Sequence, residues 1–205
     1  MSNSNQETYL GDKIDKSGLL KPTIQARIGK GYWAVSTILA IVNEVHLAHW
    51  RIEAGLRLRD AMLINGTLFN SEAWQGISKN DEEQLEKVDE ALLRGLLKAH
   101  SKVPIEALHL ETGTIPIRFI PKSRRLCYLH NILRRDSEDL IREIYDAQKD
   151  DPVEGDFCKL VQKDADDINL NLTEDQIMNM KEKEYKVKVK AKVRAASFKH
   201  LMGYK

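Results

Sequence analysis

The stretch Leu56–Trp74, LRLRDAMLINGTLFNSEAW, decides the fold. Leu58, Ala61, Met62, Leu68 and Phe69 form one apolar stripe, while Leu56, Leu63, Ile64 and Trp74 occupy other faces. A helix apolar on most sides is buried on most sides, so neighbouring helices have to surround it. Asn65, Asn70 and Glu72, which it carries inward, then need partners, because an unpaired buried polar group costs about 1–3 kcal/mol. Taken alone, the pattern describes a core helix without chemistry of its own, since buried polar groups are usually satisfied.

Helices are expected on both sides of it. Pro22 suits a first helical turn, and Ile24, Ile28, Trp33, Val35, Ile38, Leu39, Ile41, Val42 and Val45 supply a helical apolar face to about His46. Downstream, Ser78 with Asp81 or Glu82 reads as a helix start, followed by Leu85, Val88, Leu92, Leu93, Leu96 and Leu97 at helical spacing. Three helices with short loops make a bundle. Pro104 opens a short helix that Gly113 caps. Ile115–Arg135 reads as one long helix with Pro116 in its first turn and a kink at Pro121. Helices starting at Ser137 and Asp156 follow, then a capping box at Thr173–Gln176. The segment from about Lys181 to Met202 contains an alternating Lys186–Lys190 piece, but Tyr185, Val189, Val193 and Ala196 favour helix. At the other end, Tyr9-Leu10-Gly11 to Ile14 reads as a short β element.

At 205 residues and 42% hydrophobic, the chain can bury one core plus a helical appendage. There is no apolar run long enough for a membrane span and no leader-like N-terminus, so an intracellular location, nuclear or cytoplasmic, is expected. Cys127 and Cys158 lie too far apart for a CxxC pair, and reduced thiols follow. The net charge of +1 hides segregation: Arg118–Arg135 holds six bases and no acid, Asp136–Asp175 holds 14 acids against 4 bases, and Lys181–Lys205 holds 9 bases against 2 acids. Such blocks suit a basic working face, and equally a plain solvated surface.

Arg27-Ile28-Gly29-Lys30-Gly31-Tyr32 places two glycines inside a helical pattern, at about 1 kcal/mol each relative to Ala. Either another backbone approaches closely there, with Arg27 and Lys30 beside it, or the segment is a kink or a loop between two helices.

These motifs, taken in order, resemble the region just after the catalytic palm in non-LTR (LINE-type) retrotransposon reverse transcriptases. The similarity runs through Tyr9-Leu10-Gly11, Arg27-Ile28 with Lys30-Gly31, Leu58–Met62 and Asn70–Trp74. It continues through Leu85-Glu86, Val88–Glu90, Leu93-Arg94, Glu106–Gly113, Pro116–Arg118, Arg124–Leu126 with Tyr128-Leu129, Ala147-Gln148 and Gly155–Phe157. It covers nearly the whole chain from Tyr9. In that family the Tyr-Leu-Gly turn belongs to the primer grip, and the helices after it form the thumb that holds the template–primer duplex. The resemblance therefore implies that Tyr9, Leu10 and Gly11 sit near a primer end and that Arg27, Gly29, Lys30 and Gly31 lie against the duplex. Glycines permit close approach to a sugar-phosphate backbone, and Arg or Lys beside them neutralise phosphates without reading sequence. Arg118, Lys122, Arg124 and Arg125 would extend the basic track, unless they are a solvated helix face.

By the same resemblance the organisation is a tail with a primer-grip-like turn (1–20), a thumb-like bundle (21–101), a basic helical connection (102–136), and acidic helices with a basic C-terminal helix (137–205). Only eight polar residues precede Tyr9, so the palm and its metal-binding aspartates are expected to be absent, as is the family's downstream zinc and endonuclease region. Asp164-Ala165-Asp166-Asp167 is not the catalytic signature, which needs a hairpin upstream of Tyr-Leu-Gly. His46 with His49, and Cys127 with His130, have i, i+3 spacing but lack further ligands, and no phosphate loop or nucleophile elbow is present. The expectation is an all-α protein: a three-helix thumb-like bundle, further helices, and a short β element at the N-terminus. It is expected to be non-catalytic, to need no cofactor or metal, and to bind RNA–DNA hybrid or duplex nucleic acid. A palm-bearing reverse-transcriptase chain is the implied protein partner. The alternative is a helical protein-interaction scaffold derived from a retroelement.

Overall fold

The computed structural model describes residues 6–9, 12–15, 21–45, 48–74 and 77–203. The fold is all-α, and among the described residues no helix is long and apolar enough to cross a membrane. Gln6–Tyr9 (β1) and Asp12–Asp15 (β2) pair antiparallel, with Gln6 opposite Asp15 and Tyr9 opposite Asp12. So short a ribbon adds no core of its own. The chain divides into two compact units, one of Met1–Phe69 with Ile77–Ile117 and the other of Asn70–Gly76 with Arg118–Lys205. The division falls at Ile117, inside the segment 102–136 expected to act as one connection.

The first unit begins with α1 (Lys21–Asn43), whose buried residues Ile24, Arg27, Ile28, Gly31, Ala34, Val35, Ile38 and Val42 follow the three-and-four spacing of one helical face. Next come α2 (Ala48–Leu58), a π-helical segment (Arg59–Ile64) and the single turn α3 (Asn65–Thr67). The helix α4 (Lys79–Leu97) packs on α1 and α2. Its N-cap is Ser78, which accepts the Asp81 amide at 3.1 Å, and it buries Leu85, Val88, Asp89, Leu92, Leu93 and Leu96. The helix α5 (Ile105–Thr112) ends at Gly113, which caps it at φ 65° in the left-handed region that glycine enters without cost.

The central stretch departs from its expected form. No single helix spans Leu56–Trp74: the helical run ends at Thr67, Asn70 is left-handed at φ 59°, and Ser71–Ala73 is a separate 3-10 turn. Within the run Leu63, Ile64, Thr67 and Leu68 are buried, whereas Ala61, Asn65, Phe69 and Asn70 are exposed. The wide π turns rotate the following residues away from the phase that an unbroken 3.6-residue period implies. Its principal inward polar residue is consequently Arg59, not Asn65 or Asn70.

The second unit is built on α6 (Phe119–Leu133), against which pack the Ser71–Ala73 turn, α7 (Leu140–Asp150), α8 (Phe157–Asp167), α9 (Glu174–Asn179) and α10 (Glu182–Leu201). The helix expected from Ile115 begins only at Phe119. Pro121 is then its third residue, where the amide has no intrahelical partner to lose, and the expected kink has no cause. The acidic helix α7 starts later than Ser137, because Asp139 is the cap and accepts the Ile141 amide at 2.9 Å. The Thr173–Gln176 capping box forms in both directions. The Lys186–Lys190 alternation lies in α10, whose Tyr185, Val189, Val193 and Ser197 recur every four residues and are buried.

Candidate nucleic-acid interface

Three of the sequence-derived site residues, Tyr9, Leu10 and Gly11, are consecutive near the N-terminus. Tyr9 ends β1; Leu10 and Gly11, and the Tyr9 side chain, lie outside the described residues. The other eight divide by burial.

On α1 the glycine-rich segment is unbroken helix, neither kink nor loop. Arg27, which the resemblance sets against the duplex, is only 5% exposed. Its Nη1 donates to the Gly66 carbonyl at 3.3 Å and its guanidinium stands 5.0 Å over the Phe69 ring, so it ties α1 to the α3 turn. Gly31 is buried as well. A Cβ there would come within 2.7 Å of Val88 Cγ1 and 2.9 Å of Thr67 Oγ1, so the close approach at Gly31 comes from the protein's own side chains. Gly29 is the opposite case: it is exposed, and nothing lies within 4 Å of where its Cβ would be. Around it on the outward side are Lys30, Tyr32 (44% exposed), Trp33 (66% exposed) and Ser36. Trp33 had been counted in the inward stripe, but it lies one turn from Gly29, and that i, i+4 spacing is the sequence signal that puts both on one face.

The basic block of the second unit does not form one exposed track. Arg125 is 6% exposed, its Nε donates to Asp164 Oδ2 at 2.7 Å and its Nη1 donates to the Trp74 carbonyl at 2.7 Å. Such a residue is structural, because a guanidinium so buried needs both partners. Lys122 is half-buried and ion-paired with Asp167. Arg124 is also half-buried, and burial lowers its guanidinium below the ordinary value against the opposing charge of Glu72. Arg118 is the half-buried N-cap residue of α6. Among the described helices of this unit, α10 carries the most exposed positive charge, at Lys183, Lys188, Lys190, Arg194 and Lys199. That helix is anchored through its buried stripe and is no loose tail.

Sequence reasoning overlooked Arg59. It forks onto Asp89, Nε to Oδ1 and Nη2 to Oδ2 both at 2.6 Å, and also donates to the Ile115 carbonyl at 3.0 Å. Burial opposes its charge, but the Asp89 hydrogen bonds and charge outweigh it and hold the guanidinium above its ordinary value. No local signal reveals this pair, whose members lie thirty positions apart. Among the described residues no group of three or more His, Cys, Asp or Glu side chains is placed to hold a metal ion. The chain matches no protein-family model, no curated protein and no solved structure.

Proposed function

We propose that the chain is a non-catalytic nucleic-acid-binding module, the template–primer-holding thumb of a non-LTR retrotransposon reverse transcriptase, which grips RNA–DNA hybrid or duplex beside a palm-bearing chain or segment. The observation that carries the reading is Gly29. A glycine in an exposed helix interior costs about 1 kcal/mol relative to Ala, and no described side chain fills the space above it. A sugar-phosphate backbone laid along α1 would use that space, with Lys30 neutralising a phosphate and Trp33 and Tyr32 packing against sugars or bases. The ordered motifs from Tyr9 to Phe157 supply the family to which such a helix would belong. A second reading, a helical protein-interaction scaffold, is favoured by the exposed apolar side chains Leu140 and Ile144 on α7.

Fluorescence anisotropy with a labelled RNA–DNA hybrid, titrated across salt concentrations, tests the proposal. Binding is expected to be weak and indifferent to sequence, and to fall with salt at a log–log slope of about −0.9 per phosphate neutralised on a duplex. Gly29→Gln, which adds a good helix former to an exposed face, should leave folding intact and abolish binding; Lys30→Ala should reduce the slope by about one. Arg27→Ala is a poor test, because Arg27 is buried. The basic face of α10 needs a control, Lys188→Glu with Arg194→Glu, which spares the buried Tyr185, Val189 and Val193. Binding that survives the control and is lost in Gly29→Gln supports the thumb. Binding that ignores Gly29→Gln and vanishes in the control overturns it.

A further inference from the structure

The helix α10 has two apolar sides. Tyr185, Val189 and Val193 are buried on the inward side, and the helix packs on α6. Two positions after each of them stand Val187, Ala191 and Ala195, and the series runs on through Phe198 and Met202 at three-and-four spacing. A step of two residues carries a side chain about 200° around a helix, so this second stripe looks outward. All five members are exposed, Phe198 at 55%. Exposed Lys183, Lys190 and Arg194 run along one flank of it, and Lys188 and Lys199 along the other.

The helix α7 carries a shorter outward stripe with the opposite charge beside it. Leu140, 67% exposed, is followed at helical spacing by Ile144 and Ala147, and exposed Glu143 and Asp150 stand along one flank. The two bases of α7 are already compensated, Arg142 by Asp146 at 2.7 Å and Lys149 by Glu174 at 2.8 Å. At Ile144 the surface gives onto a half-open cavity of about 210 Å³, lined also by Trp74, Tyr128, Tyr145, Gln148 and Phe157. Its rings meet edge-on, Phe157 with Tyr128 at 5.9 Å and with Tyr145 at 6.2 Å between centres.

We propose that the outward stripe of α10 docks on the outward stripe of α7 in a second copy of this chain, with Phe198 seated in the aromatic cavity. The contact is separate from any duplex bound along α1. Charge decides the occupant: Lys190 and Arg194 meet Glu143 and Asp150, whereas two α10 faces or two α7 faces would set like charges together. The size agrees, because an apolar cavity of about 150 Å³ already takes up benzene, and edge-to-face ring walls favour a further ring. An aromatic anchor in a pocket, ringed by polar contacts that exclude water, is the layout of an interface hot spot. A phosphate backbone would neutralise the lysines of α10 but leave Phe198 and Met202 in water. An anionic lipid surface would cover α10 and leave the α7 stripe and its cavity bare. Because the two faces differ, the contact is heterologous, and every copy offers one of each.

Sedimentation equilibrium of the full chain, without nucleic acid, is the test. The unaltered chain should self-associate. Phe198→Ser removes the anchor and Leu140→Lys sets a like charge against α10. Both positions are exposed, so circular dichroism should not change, and each substitution should raise the dissociation constant about 30-fold, the worth of a hot-spot residue. Mixed together, the two variants should form a 1:1 complex, because the first keeps an intact α7 face and the second an intact α10 face. Charge reversal gives a second handle: Glu143→Lys with Asp150→Lys should break the contact, and adding Lys190→Glu with Arg194→Glu to the same chain should restore it. A chain that stays monomeric at every concentration overturns the proposal, and binding to phosphatidylserine-containing vesicles that Phe198→Ser abolishes would then assign α10 to a lipid surface. Self-association that ignores Leu140→Lys overturns it as well, since α10 would then be pairing elsewhere. So does a mixture of the two variants that forms no complex.

Discussion

Among the described residues, a buried Arg–Asp pair is seen in each unit, and the two are built differently. Arg59 grips both oxygens of Asp89 in a fork and adds the Ile115 carbonyl, so α4 is fastened to the π segment through two parallel bonds. Arg125 reaches Asp164 through one bond and spends another nitrogen on the Trp74 carbonyl. The fork gives geometric specificity as well as energy, whereas the single bond leaves Arg125 free to fix an irregular turn. The difference teaches that an arginine's role follows from its distant partner and not from its neighbours in sequence. Arg125 stands in a strongly basic stretch and is interior; Arg59 stands in a stretch rich in apolar residues and is interior too.

The comparison can be broken by removing the acids. Asp89→Ala leaves a buried guanidinium unpaired and should cost about 3–5 kcal/mol. Asp164→Ala should cost about 1 kcal/mol less, the worth of the one fewer hydrogen bond. Native-state hydrogen exchange separates the two, with protection falling in α4 for the first and in α6 for the second. Equal losses would show that the fork adds nothing.

A smaller effect is expected at Gly31 of α1. Gly31→Ala forces a methyl group against Val88 and Thr67 and should destabilise by about 1–3 kcal/mol, the usual cost of overpacking. Chemical denaturation monitored by circular dichroism would read it, and a neutral Gly31→Ala would show that α1 and α4 slide apart easily.

The smallest effect concerns His109, whose Nδ1 lies 2.9 Å from Thr114 Oγ1. Burial, above all, holds its imidazole below the ordinary 6.5, with Asp89 pulling it up and Arg59 pushing it down. The unfolded chain therefore takes up this proton first as pH falls. The stability is whole above pH 6.5 and declines below it, toward the lowered folded value. His109→Gln should flatten the pH dependence of unfolding in that window, and an unchanged profile would show that His109 titrates alike in both states.

Features encoded within a few residues were legible in the sequence: the caps at Ser78 and Gly113, the start of α8 at Asp156, the Thr173–Gln176 box, the helical reading of Lys186–Lys190, and the stripe Leu85–Leu96. The face of α1 was only half legible, because Arg27, Gly29 and Gly31 share one short segment and their fates depend on what packs against each. Phase was the hidden variable at Leu56–Trp74. A period of 3.6 residues assigned Ala61 and Phe69 inward, and the π segment turns them out. Trp74 and Gln148 gave no signal as cavity residues, since they lie 74 positions apart in an unaligned chain.

The π segment also sets a rule about length. Gly55, Arg59, Leu63 and Thr67 are all buried, one every four residues, although a regular helix would carry such a series around its axis by about 40° at each step. Wider turns cancel that drift and keep the four in register along one seam. Point substitutions leave the register alone, whereas loss of a single residue between Arg59 and Ile64 would swing Leu63 or Thr67 out of the seam. For this stretch, insertions and deletions are the harsher class of genetic change, because the number of residues matters to the seam as much as their identities do.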